Sequence, residues 1–190
     1  MNKIIRPLLI TFGTLTLVTG IAYPLAVTGI AQTLFPNEAA GSIIVKDGKP
    51  VGSRLIGQNF SDPGHFWGRP SATGPQPNNG LASSGSNQGP LNPALVDAVK
   101  GRVDALRAAD PGNAAAVPVD LVTASASGLD PHISPAAAQY QLARVAKVRN
   151  VPTDKIQALI DQNTQRPVLG ILGEPVVHVL NLNLALDTLH

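Results

Sequence analysis

The 190-residue chain contains no cysteine, and only 14% of its residues are charged and 4% aromatic. The lack of cysteine excludes a disulfide framework, a thiolate metal site and a lipid-attached N-terminal cysteine. The net charge of +2 is accounted for by Lys3 and Arg6, so the rest of the chain is formally neutral. A basic surface for nucleic acid is therefore excluded.

The start of the chain contains a long apolar run, and residues 7–37 carry no charged side chain. A helix needs about 20 apolar residues to cross a bilayer, and flanking cations tend to stay in the cytoplasm. We therefore predict a cytoplasmic tail at residues 1–6, a single transmembrane helix at 7–35 and an extracytoplasmic domain at 36–190. Pro24 lacks a backbone donor, which predicts a kink in the helix.

A cleaved signal peptide is the alternative interpretation of this segment, because it too begins with cations and an apolar run. The tripeptide at residues 29–31, Gly-Ile-Ala, resembles a cleavage site. However, the apolar core of a signal peptide spans about 7 to 15 residues, and here the apolar character continues to Phe35. The length of the run favours a membrane anchor.

The first part of the exported region predicts a hairpin followed by a long loop. Asp47-Gly48 between two apolar runs is a strong hairpin signal and predicts strands at residues 42–45 and 51–56. Residues 70–96 are uncharged and rich in Gly, Pro, Ser and Asn, which predicts a loop. A loop of this length in a compact domain is usually functional or flexible.

Helices are predicted in the second part of the exported region. Asn92 and Ser134 each precede a proline, the pattern of a cap followed by the first helical residue, and Thr153 is the predicted cap of a third helix. Residues 176–184 alternate between leucine and asparagine in their second half, which predicts a strand with its asparagines on the polar face. Helices and strands without regular alternation indicate an α+β, or irregular α/β, domain.

Four side chains with catalytic potential lie in one short segment: Ser125, Ser127, Asp130 and His132. A hydrolase triad could be drawn from them. Triad members normally come from separate segments, however, and the nucleophile needs a strained, exposed turn. A packed turn in which serine and aspartate accept from backbone N–H groups is the alternative that we favour. The four histidines do not have the spacing of a metal clip, so no metal site is predicted.

A second candidate is the segment that contains Phe66, Trp67 and Arg69, because Trp67 is the only tryptophan in the chain. Tryptophan and arginine are favoured anchors of protein interfaces. Alternatively, the tryptophan belongs to the core and the arginine pairs with a nearby carboxylate.

Several longer strings of the chain are specific enough to indicate a family. They occur at residues 52–60 (GSRLIGQNF), 66–72 (FWGRPSA), 117–135 (VPVDLVTASASGLDPHISP) and 182–186 (LNLAL). In this order, they resemble the C subunit of the bacterial Kdp potassium-transporting ATPase. The resemblance extends over nearly the whole chain, including the apolar start.

The resemblance implies a complex in the bacterial inner membrane, surrounded by lipid. In such a complex a channel-like A subunit selects K⁺, a P-type ATPase B subunit hydrolyses ATP, and the C subunit is required for assembly and activity. It also implies a subunit that is not itself the pump, because the Asp-Lys-Thr-Gly string of P-type pumps is missing. The family's C subunit is described as a catalytic chaperone that raises the ATP affinity of the B subunit, and Gln141 matches its nucleotide-linked glutamine.

Direct ATP binding by Gln141 is not expected from physical chemistry. The residue follows the predicted anchor, on the side of the membrane where ATP is scarce. Neutral hydrogen bonds contribute about 0.5 to 1.5 kcal/mol each, whereas micromolar binding needs about 8 kcal/mol.

Two functional alternatives remain beside the Kdp subunit. They are an anchored or secreted binding module that uses the Gly- and Asn-rich loop, and an envelope hydrolase that uses Ser125 or Ser127 with His132.

Overall fold

A computed structural model of the chain describes residues 2–189, so Met1 and His190 lie outside the described residues. The chain divides into two compact units, residues 2–53 and 54–189, which are described separately. Helices and short strands occur together, as predicted for an α+β protein.

The first unit begins with a continuous helical segment made of α1 (Asn2–Leu17), a π-helical turn (Val18–Ala22) and α2 (Tyr23–Leu34). The apolar part, Lys3–Leu34, has 32 residues and a mean hydropathy of 1.7, so it is long and apolar enough to cross a membrane. Its most apolar stretch has no buried residue within the chain.

The backbone irregularity expected at Pro24 takes the form of the π-helical turn. Proline has no N–H and its ring clashes with the carbonyl four residues earlier, here that of Gly20. The turn widens the helix at this point, and the N–H of Tyr23 donates to the carbonyl of Val18, five residues back. The proline then occupies the first turn of α2, where a missing donor costs least.

A short helix, α3 (Pro36–Ala39), leads into the predicted hairpin, which consists of β1 (Ile43–Lys46) and β2 (Lys49–Ser53). The strands are antiparallel and have a bulge after Ile44. Asp47 and Gly48 both have positive φ, 52° and 73°, as a two-residue primed turn requires. The hairpin prediction is confirmed, although the second strand begins and ends earlier than expected.

The second unit opens with residues 54–92, which form neither helix nor strand. Hydrogen bonds within the loop and to residues 127–128 order it: the Ser71 hydroxyl donates to the Gly128 carbonyl at 2.6 Å and accepts from the Asn78 N–H at 2.9 Å. The Ser84 N–H donates to the Ser127 carbonyl at 3.0 Å. Gly128 has a φ of 67°, and a Cβ there would lie 2.6 Å from the Ser84 carbonyl oxygen. The predicted loop is thus fastened to the segment with the two candidate serines.

Four helices of the second unit follow the loop: α4 (Pro93–Ala109), α5 (Pro135–Arg149), α6 (Thr153–Gln162) and α7 (Val179–Leu186). A 3₁₀ turn (Val119–Leu121) lies between α4 and α5. The strands β3 (His132–Ile133), β4 (Thr164–Gln165) and β5 (Val176–His178) form an antiparallel sheet in the order β3-β5-β4. The core lies between this sheet and the helices and includes Phe66, Ile133, Ala137, Val145, Ile156, Ile160, Val177, Leu182 and Leu186.

Two of the three predicted helix caps are confirmed. The Asn92 side chain accepts from the Ala94 N–H, and the Ser134 hydroxyl accepts from the Ala137 N–H. The third is wrong, because the capping position of α6 is Pro152 and Thr153 is already helical. Pro152 has a fixed φ, which sets the backbone direction at the start of α6. Its side chain makes no capping hydrogen bond.

The strand predicted over residues 176–184 is wrong in its second half, where α7 lies instead. The buried positions include Val179, Leu182, Asn183 and Leu186, which share one face of a helix. The alternation of leucine with asparagine predicted a strand on the assumption that the asparagines are exposed to solvent. Asn183 is instead 2% exposed, because its amide bonds the backbone of another segment.

Candidate functional site

The candidate site is centred on Phe66 and Trp67, whose backbone is held by two side-chain amides. Asn183 accepts from the Phe66 N–H at 2.8 Å and donates to the Phe66 carbonyl at 3.0 Å. Gln141 accepts from the Trp67 N–H at 2.8 Å and donates to the Trp67 carbonyl at 3.1 Å. We call these four residues the amide clamp. Two helices, α5 and α7, thereby supply to an irregular segment the hydrogen bonds that a neighbouring strand would supply.

Gln141 is 1% exposed, and its amide group makes four hydrogen bonds. Besides the two to Trp67, its nitrogen donates to the Ala137 carbonyl at 3.2 Å and its oxygen accepts from Arg144 at 2.6 Å. A glutamine amide has two donor hydrogens and an oxygen with two lone pairs. The amide is therefore saturated by the protein itself.

Arg144 lies beside Gln141 and is 3% exposed. Its guanidinium donates to the carbonyls of Pro63 and His65, and its central carbon lies 4.8 Å from the centre of the Trp67 ring. Burial lowers the pKa of Arg144, while the nearby charge of Asp110 opposes that shift. Arginine stays charged in proteins, so carbonyl oxygens and an aromatic face surround a buried cation.

A second cluster joins three of the predicted site residues, Arg69, Asp130 and His132. The Asp130 carboxylate accepts from Arg69 at 3.1 Å and from the His132 N–H at 3.0 Å. Its Oδ1 also lies 3.3 Å from Nδ1 of His132. Burial raises the pKa of Asp130, but the bonds from His132 and the charge of Arg69 outweigh that effect and hold the pKa below its usual value.

The structure does not bring the two candidate serines into bonding contact with His132. Among the hydrogen bonds that residues 2–189 form, none joins Ser125 or Ser127 to that imidazole. The Ser127 hydroxyl accepts from the Leu129 N–H at 3.1 Å, and the Ser125 carbonyl accepts from the Gly128 N–H. These contacts, with the Asp130 bond to His132, are those of a packed turn.

The alternatives for Phe66, Trp67 and Arg69 are also distinguished by their contacts. Phe66 is fully buried, Trp67 packs against the core, and Arg69 pairs with a carboxylate, as the core alternative requires. The indole N–H of Trp67 donates to the Asp62 carbonyl at 2.9 Å. A role for Trp67 in an interface stays a prediction.

Sequence reasoning missed His178, which is 1% exposed and lies at the start of α7. Its Nδ1 accepts from the Asn181 N–H at 3.2 Å and its Nε2 lies 2.9 Å from the Arg54 carbonyl. These partners require a neutral ring that carries its proton on Nε2. Burial is the main cause that lowers the pKa of His178, in agreement with a neutral ring. A histidine cap leaves a weak sequence signal, because serine, threonine, aspartate and asparagine are the usual caps.

Sequence reasoning also missed a second network, in which residues near the C-terminus hold the segment of residues 62–67. Asp187 accepts from Arg149 at 2.6 Å and lies 3.0 Å from His65. Burial raises the pKa of Asp187, but the bonds to Arg149 and His65 outweigh it and lower the pKa overall. Arg149 also donates to the Gly64 carbonyl at 2.8 Å. Residues 62–67 are thus tied to α5 and to the end of α7.

The cavities near these residues differ in charge, since one of about 200 Å³ beside Trp67 carries Arg69 and Arg102 and no carboxylate. A cavity of about 410 Å³ is lined by Arg69, Asp130 and His132, together with Asp120 and Glu174. In this second cavity, three carboxylates beside two basic groups disfavour a polyanion such as ATP. Within the described part of the chain, no group of three or more histidine or acidic side chains is arranged to hold a metal ion.

The amide clamp predicts a large loss of stability in Gln141→Ala. The change leaves the Trp67 N–H and carbonyl and part of Arg144 without partners, which should lower the free energy of unfolding by about 2 to 4 kcal/mol. Urea unfolding of the full chain in detergent, followed by the fluorescence of Trp67, measures the effect at the site itself. The control is Gln139→Ala, an exposed position of the same helix, where a change of about 0.5 kcal/mol or less is expected. Equal stabilities of the two variants would contradict the role of the clamp.

Comparison with known proteins connects this architecture to a family. Residues 5–188 match the family described as KdpC, the c chain of the K⁺-transporting ATPase. A potassium-transporting ATPase KdpC subunit of Polaromonas naphthalenivorans is 75% identical over 189 residues, which cover 100% of this chain and 96% of that protein. The corresponding subunit of Variovorax paradoxus is 69% identical, with 98% and 97% covered, and that of Herminiimonas arsenicoxydans is 58% identical over the whole of both chains. The family resemblance is thereby confirmed, and the chain belongs to the KdpC family of potassium-transporting ATPase subunits.

Proposed function

We propose that this chain is a non-catalytic, single-span subunit that stabilises the Kdp complex from the extracytoplasmic side of the bacterial inner membrane. The observation that carries the proposal is the helix Lys3–Leu34, which is long and apolar enough to cross a membrane and whose most apolar stretch is unburied within the chain. Such a surface needs lipid or other membrane helices to cover it. Lys3 and Arg6 would keep the N-terminus in the cytoplasm, and residues 36–190 would then lie outside.

The chemistry of the complex is assigned in this proposal to the partner subunits. The channel-like A subunit would select K⁺, and the P-type B subunit would hydrolyse ATP. The chain contains no Asp-Lys-Thr-Gly string that would supply a phosphorylated aspartate. The hydrolase alternative also loses support, because the Ser127 hydroxyl accepts a backbone N–H within a turn.

Gln141 has a structural role in this proposal, although the family resemblance links it to nucleotide. Binding ATP there would require the amide to give up bonds to Trp67, Ala137 or Arg144. Phosphate sites normally use a helix N-terminus, a nest of backbone N–H groups or free cations. Here the nearest cation, Arg144, already donates to backbone carbonyls. Any increase in the ATP affinity of the B subunit would therefore be transmitted through contacts between the subunits.

The proposed topology predicts that a reporter fused after His190 is exported. Alkaline phosphatase, which is active only outside the cytoplasm, should be active in this fusion, because Lys3 and Arg6 retain the opposite end. Green fluorescent protein exported through the same translocon should be dark at this position. As a control, the same reporters fused before Met1 should give the reverse pattern. Fluorescence together with inactive phosphatase at the C-terminal fusion would contradict the topology.

The proposed role also predicts that removing the chain impairs the complex. Membranes from cells that produce the other Kdp subunits alone should show less K⁺-stimulated ATPase activity and less A and B subunit in one complex. Supplying the wild-type chain or the Gln139→Ala variant should restore both quantities. Full activity and unchanged composition without the chain would contradict a role in assembly.

A further inference from the structure

The connection between β4 and β5 carries four exposed aliphatic side chains at its tip. Val168, Leu169, Ile171 and Leu172 have exposed fractions of 65%, 86%, 80% and 60%. We call these four residues the aliphatic turn. Exposed leucines elsewhere in this unit, such as Leu91, occur singly. A group of exposed aliphatic side chains at one place on a protein usually marks an interaction site.

The aliphatic turn has a defined backbone that is built onto the core. Val168 and Leu172 exchange hydrogen bonds of 2.9 and 3.0 Å, and the Ile171 N–H donates to the Val168 carbonyl at 3.2 Å. The turn lies in the connection between β4 and β5, an antiparallel pair in which Val177 is fully buried. The four side chains are therefore presented by a hairpin that is anchored in the sheet.

The backbone at the tip disfavours the residue that occupies it. Leu169 and Gly170 have φ values of 55° and 75°, which is the geometry of a primed hairpin turn. Asparagine is the favoured residue at the first of these positions, whereas a bulky leucine at positive φ is strained. Leucine at position 169 is thus unfavourable for two reasons: its backbone is strained, and its apolar side chain is exposed to water. Persistent strain of this kind occurs where function requires a particular side chain.

We propose that the aliphatic turn docks into an apolar groove on another subunit of the potassium-transporting ATPase. The proposal rests on the proposed function, in which this chain is held in a complex. A small convex group of branched side chains on a rigid hairpin fits a concave apolar surface of a protein. Removal of Leu169 and Ile171 from water on docking would supply the affinity.

The chemistry of the turn favours a protein over a lipid surface or a second copy of this chain. Segments that insert at a membrane surface generally combine aromatic residues with several cations. Here the flanks supply one cation, Arg166, and one carboxylate, Glu174, and the turn contains no aromatic residue. A second copy offers poor grooves, because two cavities of this unit, of about 670 and 410 Å³, carry charged side chains such as Asp110 and Lys147, or Asp120 and Glu174.

The proposal is tested by affinity purification of the tagged full chain from membranes that contain all Kdp subunits. Leu169→Asn, alone or together with Ile171→Thr, keeps the turn geometry and removes the apolar surface. We expect one or both variants to recover about tenfold less A and B subunit, the scale of a lost interface anchor. Because asparagine relieves the strain, the melting temperature of the full chain should not fall in Leu169→Asn. Leu91→Asn, at a position that is 95% exposed, is the control and should recover the subunits as the wild type does.

A benzophenone-bearing amino acid in place of Ile171 identifies the neighbour directly. A crosslink to the A or B subunit supports the proposal, whereas a crosslink to lipid or to a second copy overturns it. Undiminished recovery in both the single and the double variant also overturns it. Failure of the wild-type chain to recover any partner subunit would instead contradict the proposed function itself, which separates the two claims.

Discussion

The hydrogen bonds from the Gln141 side chain to the Trp67 backbone, and from the Asn183 side chain to the Phe66 backbone, determine how the second unit is organised. The loop of residues 54–92 contributes Phe66 to the core without forming a helix or strand, and buried N–H and carbonyl groups need partners. Two side-chain amides supply these partners from two helices. Phe66 can consequently be fully buried although its segment belongs to no sheet.

The burial of the charged Arg144 depends on the same arrangement. Carbonyls of residues 63 and 65, the oxygen of Gln141 and the face of Trp67 surround it. The two carbonyls and the Trp67 ring are in place only while the clamped segment is in place. A buried cation and an irregular loop therefore stabilise each other, and loss of any one partner leaves several polar groups unpaired. Arg149 and Asp187 add a second tie at the edge of the same segment.

Features that depend on short stretches of sequence could be predicted. The long apolar helix, the hairpin at Asp47-Gly48 and the helix starts at Asn92 and Ser134 follow from local composition and capping. The strand prediction at residues 176–184 was wrong because burial of Asn183 depends on Phe66, 117 residues away in sequence. Pairing of Gln141 with Trp67, 74 residues apart, likewise has no local signal. Family resemblance singled out Gln141, and the structure gives the residue a clear place in the fold.

ATP titration into the folded full chain, measured by calorimetry in detergent at physiological salt, tests the central claim about Gln141 most directly. If the amide serves the fold, no saturable micromolar heat should appear with the wild-type chain or with the Gln139→Ala control. The K⁺-stimulated activity of the complex should nevertheless depend on the chain. Saturable micromolar ATP binding that is lost in a folded Gln141→Ala variant would contradict the account and make the glutamine a nucleotide ligand.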